Sequence, residues 1–127
     1  HRRGVVGIVT DGAYRDSPAI RDVPFALYAA AMNANASRTI HHPSQTQVPI
    51  ACGGVAIFPR DVVVGDGEGV VVIPSHLTET VAREATAHED LEEFILERVQ
   101  GGASIVTNYP PDEQTLREYE AWTRSRK

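Results

Sequence analysis

Up to Ile73, apolar residues come in short runs broken by glycine, proline and aspartate; beyond Pro74 they recur every three or four positions. That change of period predicts strands first and helices after. Residues 5–9 form a continuous apolar run, which predicts a strand buried on both faces. The run is followed by Asp11-Gly12, a turn signal that should stop the strand. Ser17-Pro18 opens a short helix over 19–22, because proline is tolerated in a first turn. Residues 24–27 read as a second short strand. Residues 29–36 are alanine-rich, but Asn33, Asn35 and Ser37 interrupt them, so the segment reads as a loop. Residues 39–47 are polar and have no period. Strands are expected over 47–52 and 55–58 about a bend at Gly53-Gly54. Two more, over 62–65 and 69–73, flank Asp66-Gly67-Glu68, a hairpin signal.

A long helix is expected over 75–100, with Ser75 as its cap and Thr78 and Glu79 in the first turn. Leu77, Val81, Ala85, Leu91, Phe94, Ile95 and Val99 give it a partial apolar stripe, and Gly101-Gly102 ends it. Asp112 caps a second helix over 112–126, in which Leu116, Tyr119 and Trp122 share one face. So narrow a stripe on a charged helix predicts docking, on the long helix or on a neighbouring subunit. Strands followed by helices, with glycine corners between the strands, favour an α/β sandwich of sheet and helix layers over a doubly wound nucleotide fold.

Length and composition suit one domain over 1–127. The formal charge of −5 argues against a nucleic-acid surface, which needs clustered Lys and Arg. The basic residues are scattered, apart from Arg2-Arg3 and the tail Arg124, Arg126 and Lys127. No segment has the length and apolarity of a bilayer span. Cys52 is the lone cysteine, so no internal disulfide can form and the cytoplasm is the expected location.

Arg15-Asp16 is the pair of side chains with the clearest chemical use. A guanidinium is a planar fork suited to a carboxylate. A carboxylate is the hard oxygen ligand that magnesium or manganese prefers. Together the two could hold an acidic substrate and a divalent metal, although an isolated Arg-Asp dipeptide is more often an ordinary loop ion pair. The other candidates are weaker. Adjacent His41 and His42 would point to opposite faces of a strand. His76 and His88 lie turns apart with no third ligand. Cys52 suits a small core position, and the acidic loop 65–69 would repel phosphate. Asp11, at the strand end, is expected to accept backbone N–H groups and orient the turn.

The blocks Gly7-Ile8-Val9-Thr10-Asp11-Gly12-Ala13-Tyr14-Arg15-Asp16, Val48-Pro49-Ile50-Ala51-Cys52-Gly53-Gly54-Val55, Pro59-Arg60-Asp61-Val62-Val63-Val64-Gly65-Asp66 and Gly69-Val70-Val71-Val72-Ile73-Pro74 resemble, in order, the family that unites the ribonuclease-activity regulator A proteins with the 4-hydroxy-4-methyl-2-oxoglutarate aldolases. The resemblance implies an α/β/β three-layer "swivelling" sandwich with C-terminal helices. It also implies a divalent-metal-dependent lyase that cleaves or decarboxylates a 2-oxo (di)carboxylic acid to pyruvate, as a homotrimer or hexamer. In that reading Arg15 holds the substrate carboxylate or oxo oxygen and Asp16 ligates Mg²⁺ or Mn²⁺. Glu93 and Glu97 are candidates, by position alone, for an acid donated across a subunit interface. The alternative is a non-catalytic regulator that inhibits a ribonuclease by contact. Ser17, Pro18 and Ala19 stand where the regulator branch carries acidic residues, which favours the aldolase branch. Arg60 stands where the family has glycine, and would be strained if that turn needs a positive φ. The family also places a glycine loop and an acidic residue upstream of the Arg-Asp strand. This chain opens without Met, almost directly into that strand. It is therefore expected to be the C-terminal part of the domain and inactive in isolation.

Overall fold

The computed structural model describes residues 3–36 and 41–126; the expectations that touch Arg2, Ser37, Thr39 and Lys127 lie outside the described residues. The chain forms two compact units, His1–Leu77 and Thr78–Lys127.

The first unit contains the strands, in three two-stranded sheets. β1 (Gly7–Tyr14) and β2 (Ala26–Met32) are parallel, joined through the short helix α1 (Ser17–Arg21). β3 (Ile50–Cys52) and β4 (Val55–Ile57) form an antiparallel hairpin, as do β5 (Val62–Gly65) and β6 (Val70–Ile73). Gly53 and Gly54 both take positive φ, 58° and 80°, which is the conformation a two-residue hairpin loop requires. Asp66 closes the other turn, its Oδ1 accepting the amides of Glu68 and Gly69 at 2.8 and 3.2 Å.

Three expectations for this unit are corrected. β1 does not stop at Asp11-Gly12; it continues to Tyr14. The pairing runs Thr10 with Ala29 and then Ala13 with Ala31, so one extra residue of β1 is taken up in a bulge. The Gly12 amide donates to Thr10 Oγ1 at 3.0 Å. Secondly, part of the expected loop over 29–36 is strand, because pairing along β1 overrides the weak strand propensity of alanine. Thirdly, residues 5–9 are not buried on both faces: Val6, just before β1, is 88% exposed and Ile8, within it, 48%. With β2 as the one strand beside it, a two-stranded sheet leaves much of both faces open.

Arg60 has φ = 81°, so the glycine-like turn is present without its glycine. Asp61 fixes it. Its Oδ2 accepts the Phe58 amide at 2.9 Å, and its Oδ1 reaches forward to the Ser75 amide at 3.0 Å. A side chain on left-handed backbone costs about 1–2 kcal/mol, and glycine gives back about 0.5–1 kcal/mol of that as chain entropy. Arg60→Gly is therefore expected to stabilise the first unit by about 0.5–1 kcal/mol. A urea midpoint by far-UV circular dichroism that stays put or falls would contradict it.

The second unit is helical: α2 (Thr78–Gln100), α3 (Ile105–Asn108) and α4 (Glu113–Ser125). α2 begins three residues later than expected, since Ser75–Leu77 make a 3₁₀ turn. Its end matches the sequence reading. Gly102, at φ = 99°, lets its own amide bond Val99 O and the Ala103 amide bond Arg98 O, a Schellman stop. The C-terminal half of the apolar stripe forms the core: Phe94 and Ile95 are the buried hydrophobic residues among those described. α4 docks on α2 through Phe94, Tyr119 and Trp122, whose ring centroids lie 5.6–6.0 Å apart.

Asp112 caps α4, accepting the Thr115 amide at 2.7 Å. The hydrogen bonds from Thr115, backbone first, hold its carboxyl below the ordinary value of 3.8. A pKa lowered by folding contributes stability above the unfolded value and loses it as pH falls through the folded one. Asn caps a helix without titrating or favouring its positive end by charge. Wild type should therefore exceed Asp112→Asn in urea midpoint at about pH 6, with the gap closing towards about pH 2. A gap that does not change with pH would contradict this.

Candidate active site

Where β1 ends, the chain turns sharply, and the turn is made by Arg15 and Asp16. Asp16 sits on left-handed backbone (φ 62°, ψ 31°), which aspartate tolerates better than most residues. Its carbonyl accepts the Ile20 amide at 3.1 Å and starts α1. Its position is that of a helix cap, yet its carboxylate caps nothing. Instead Oδ2 lies 3.3 Å from Arg15 Nε, and both side chains are more than half exposed. The guanidinium thus meets the carboxylate through Nε, and no other partner engages its two terminal nitrogens among the described residues.

The pair opens onto a recess of about 260 Å³, lined by Tyr14, Arg15, Asp16, Ser17, Met32 and Asn33 together with Ala34. The recess lies just beyond the carboxyl ends of the parallel strands β1 and β2, where loops leave the sheet and ligands commonly bind in α/β folds. The Asn33 amide donates to Tyr14 O at 2.8 Å, which ties the loop after β2 to the strand that carries Arg15.

A divalent ion here would find hard oxygen in Asp16, and the one soft atom in the lining is the Met32 thioether, which hard ions do not prefer. Among the described residues no group of three or more His, Cys, Asp or Glu converges. One carboxylate with free lone pairs and solvent access fits magnesium, which keeps most of its waters, and does not fit zinc.

The other expected residues fall elsewhere. Asp11 does accept a backbone N–H, but from the distant Gly53 at 3.1 Å, so it braces β1 against the β3–β4 turn. It borders an apolar cleft of about 500 Å³ with Val9, Tyr28, Cys52 and Val70. That cleft is larger than the Arg15 recess, but its one lining carboxylate is already engaged, so it offers less chemistry. Cys52 is half-buried there, not fully buried as a core position would be. Glu93 and Glu97, in the second unit, both grip Arg126, at 3.0 and 3.2 Å. Glu97 also accepts the Trp122 indole N–H at 2.9 Å, and the Arg126 guanidinium lies 4.2 Å from the Trp122 ring. His41 and His42 are exposed in irregular chain, and His88 pairs with Glu92 at 3.1 Å. Asn33 was legible only as an interruption of the alanine run; its place beside Arg15 depends on the pairing of β2 with β1.

Comparison with known proteins gives consistent matches. The sequence profile described as RraA-like (Aldolase/RraA) matches residues 1–72. A Halalkalibacterium halodurans protein provisionally named 4-hydroxy-4-methyl-2-oxoglutarate aldolase is 40% identical over 82 residues, covering 65% of this chain and 39% of that protein. The crystal structure of an uncharacterised Pseudomonas syringae protein superposes with a TM-score of 0.76 at 31% identity, over 80% of this chain and 50% of that one. Streptomyces coelicolor RraAS2, described as an unusual member of the RNase ES inhibitor RraA protein family, gives a TM-score of 0.64 at 35% identity, over 76% and 50%. The chain thus spans half or less of the length of these relatives, and its mixed α/β fold is theirs.

Proposed function

This chain belongs to the RraA-like family, and from that we propose that it carries part of the active site of a divalent-metal-dependent carbon–carbon lyase acting on a 2-oxo (di)carboxylic acid to give pyruvate. The observation that carries the reading is the Asp16 carboxylate, held on left-handed backbone at a capping position where it caps nothing, beside Arg15 and at the mouth of a recess. Left-handed backbone whose side chain makes no capping bond is the kind of strain that collects at functional sites.

Arg15 binds the carboxylate of the 2-oxo acid through its terminal nitrogens, a charge-assisted fork that fixes the plane of the reacting end. Asp16 supplies the protein ligand for Mg²⁺ or Mn²⁺, and its contact with Arg15 keeps the two groups in one geometry. The ion, when bound, supplies Lewis-acid stabilisation of the negative charge that develops as the carbon–carbon bond breaks. The family reading extends to a cytoplasmic homotrimer or hexamer, in which Glu93 or Glu97 could serve a neighbouring site only by leaving Arg126.

A second reading, a non-catalytic regulator that contacts a ribonuclease, draws support from the likeness to the Streptomyces protein. The two separate on one assay. Pyruvate release from 4-hydroxy-4-methyl-2-oxoglutarate and from oxaloacetate is measured with Mg²⁺ and with chelator, using the protein that contains this chain. Turnover that needs metal and is lost in Arg15→Ala and Asp16→Asn is expected. Turnover kept in both variants would reduce the pair to a loop ion pair, and none in wild type would favour the regulator.

A further inference from the structure

The helical unit begins beyond residue 72, where the match to the RraA-like profile ends, and it carries a groove of its own. The groove, of about 430 Å³, runs between α2 and α3. Leu96, Val99, Ile105 and Tyr109 make much of its lining apolar. Leu96 and Ile105 are more than half exposed, and Val106 beside them is more exposed still. Glu89, Glu92 and Glu93 supply the rest of the chemistry, and no Lys or Arg lines the groove. On α2 the acids lead directly into Leu96 and Val99 at spacings of three and four, so acidic and apolar surface adjoin on one face. The local cations do not balance these acids. Glu92 meets His88 at 3.1 Å, and Glu93 meets Arg126 at 3.0 Å, but Arg126 is shared with Glu97. Glu89 meets no cation among the described residues. Contiguous apolar surface with a polar border is the mark of a protein-binding face.

We infer that this groove binds an amphipathic helix of a partner protein, one whose apolar stripe is bordered by Lys or Arg. Both walls are helices and offer no open sheet edge, so the fitting occupant is a helix laid along them and not an added strand. From Glu89 to Val99 the α2 wall is about 15 Å long, which matches about three turns of a partner helix. Apolar side chains of that helix cover Leu96, Val99 and Ile105, and its cations meet the excess carboxylates. A second copy of this chain fits poorly. Groove on groove would set the same three glutamates of each copy against one another, and like charges so placed repel. The basic helix that a copy does possess, α4, has its apolar face occupied, with Tyr119 and Trp122 packed on Phe94.

Two synthetic helical peptides of ~15 residues serve as probes. Both carry leucine at helical spacing, one with lysine and the other with glutamate at the remaining positions. Binding is measured by fluorescence anisotropy at about 0.15 M salt, with the protein that contains this chain. The lysine peptide should bind about tenfold or more tighter than the glutamate peptide. Leu96→Gln with Ile105→Gln should weaken it by about tenfold or more. These side chains are exposed, so the Trp122 unfolding midpoint should stay in place. Glu89→Lys should weaken it by about threefold or more, and Glu120→Lys, which changes the net charge equally outside the groove, should not. No binding of the lysine peptide by wild type overturns the inference. So does equal loss in Glu89→Lys and Glu120→Lys, which would mean attraction to net charge alone. Sedimentation decides the remaining case: a wild-type oligomer that the double glutamine variant dissociates would make a second copy the occupant and overturn the inference as well.

Discussion

Asp16→Asn should lower metal-dependent pyruvate release by about 10³-fold, equivalent to ~4 kcal/mol of lost transition-state stabilisation. Asparagine preserves the size of the side chain and, like aspartate, accepts left-handed backbone, so the turn at φ = 62° should survive. The charge that would hold the ion does not. Alanine at this position would confound the result, because it is strained where aspartate is tolerated. Arg15→Ala is expected to cost about 10²–10³-fold, as for the loss of one preorganised charge-stabilising group. Arg15→Lys should recover only part of this, since an ammonium keeps the charge but loses the planar fork. Both side chains are more than half exposed, so neither change should move the unfolding midpoint by more than about 0.5 kcal/mol. The contrast between large kinetic and small thermodynamic effects is the discriminating outcome. An ordinary surface ion pair would give small effects on both.

Phe94→Ala should destabilise the second unit by about 3–5 kcal/mol, the range for truncating a buried aromatic ring. Phe94 is 5% exposed and meets both aromatic rings of α4, and Arg98 lies 5.4 Å over its face. Removing it opens a void between α2 and α4 that neither neighbour can fill. So short a unit seldom holds more than about 3–5 kcal/mol in total, so the substitution should abolish cooperative unfolding rather than merely shift it. Trp122 is the one tryptophan of the chain and sits in this cluster, so its fluorescence reports the unit selectively. A sharp transition with an unchanged midpoint would mean that the cluster is not the core. Phe94→Leu, which keeps most of the volume, should retain the transition at a lower midpoint.

How much of this could be read from the residues differs between the two units. In the second, the signals are local and several agree with the structure, although Ser75 lies in a 3₁₀ turn ahead of α2 and Leu116 is 41% exposed. Gly101-Gly102 stops α2, Asp112 caps α4, and Tyr119 and Trp122 lie on the face that docks. These features depend on residues a turn or two apart, where spacing is geometry. In the first unit, glycine placement and the Asp66 hairpin were legible for the same reason. The extension of β1 through Asp11-Gly12 was not. A bulge follows from what pairs alongside, and β2 lies beyond an intervening helix. The burial expected for residues 5–9 failed because an apolar run states a preference for burial, whereas burial itself depends on what covers the strand.

By itself, the sequence determined the kind of most elements, several of the turns and caps between them, the family, and the presence of an arginine beside an aspartate at a strand end. Each of these is encoded in residue type at short spacing. Only the tertiary structure decided that Asp11 braces Gly53, that Arg126 occupies Glu93 and Glu97, that Asp16 lies on left-handed backbone with its carboxylate beside Arg15 and not capping α1, and that Asn33 borders the same recess as Arg15. Side chains far apart in the chain meet only once strands have paired and helices have docked. Those pairings depend on the relative free energies of whole surfaces, which no short window of residues contains.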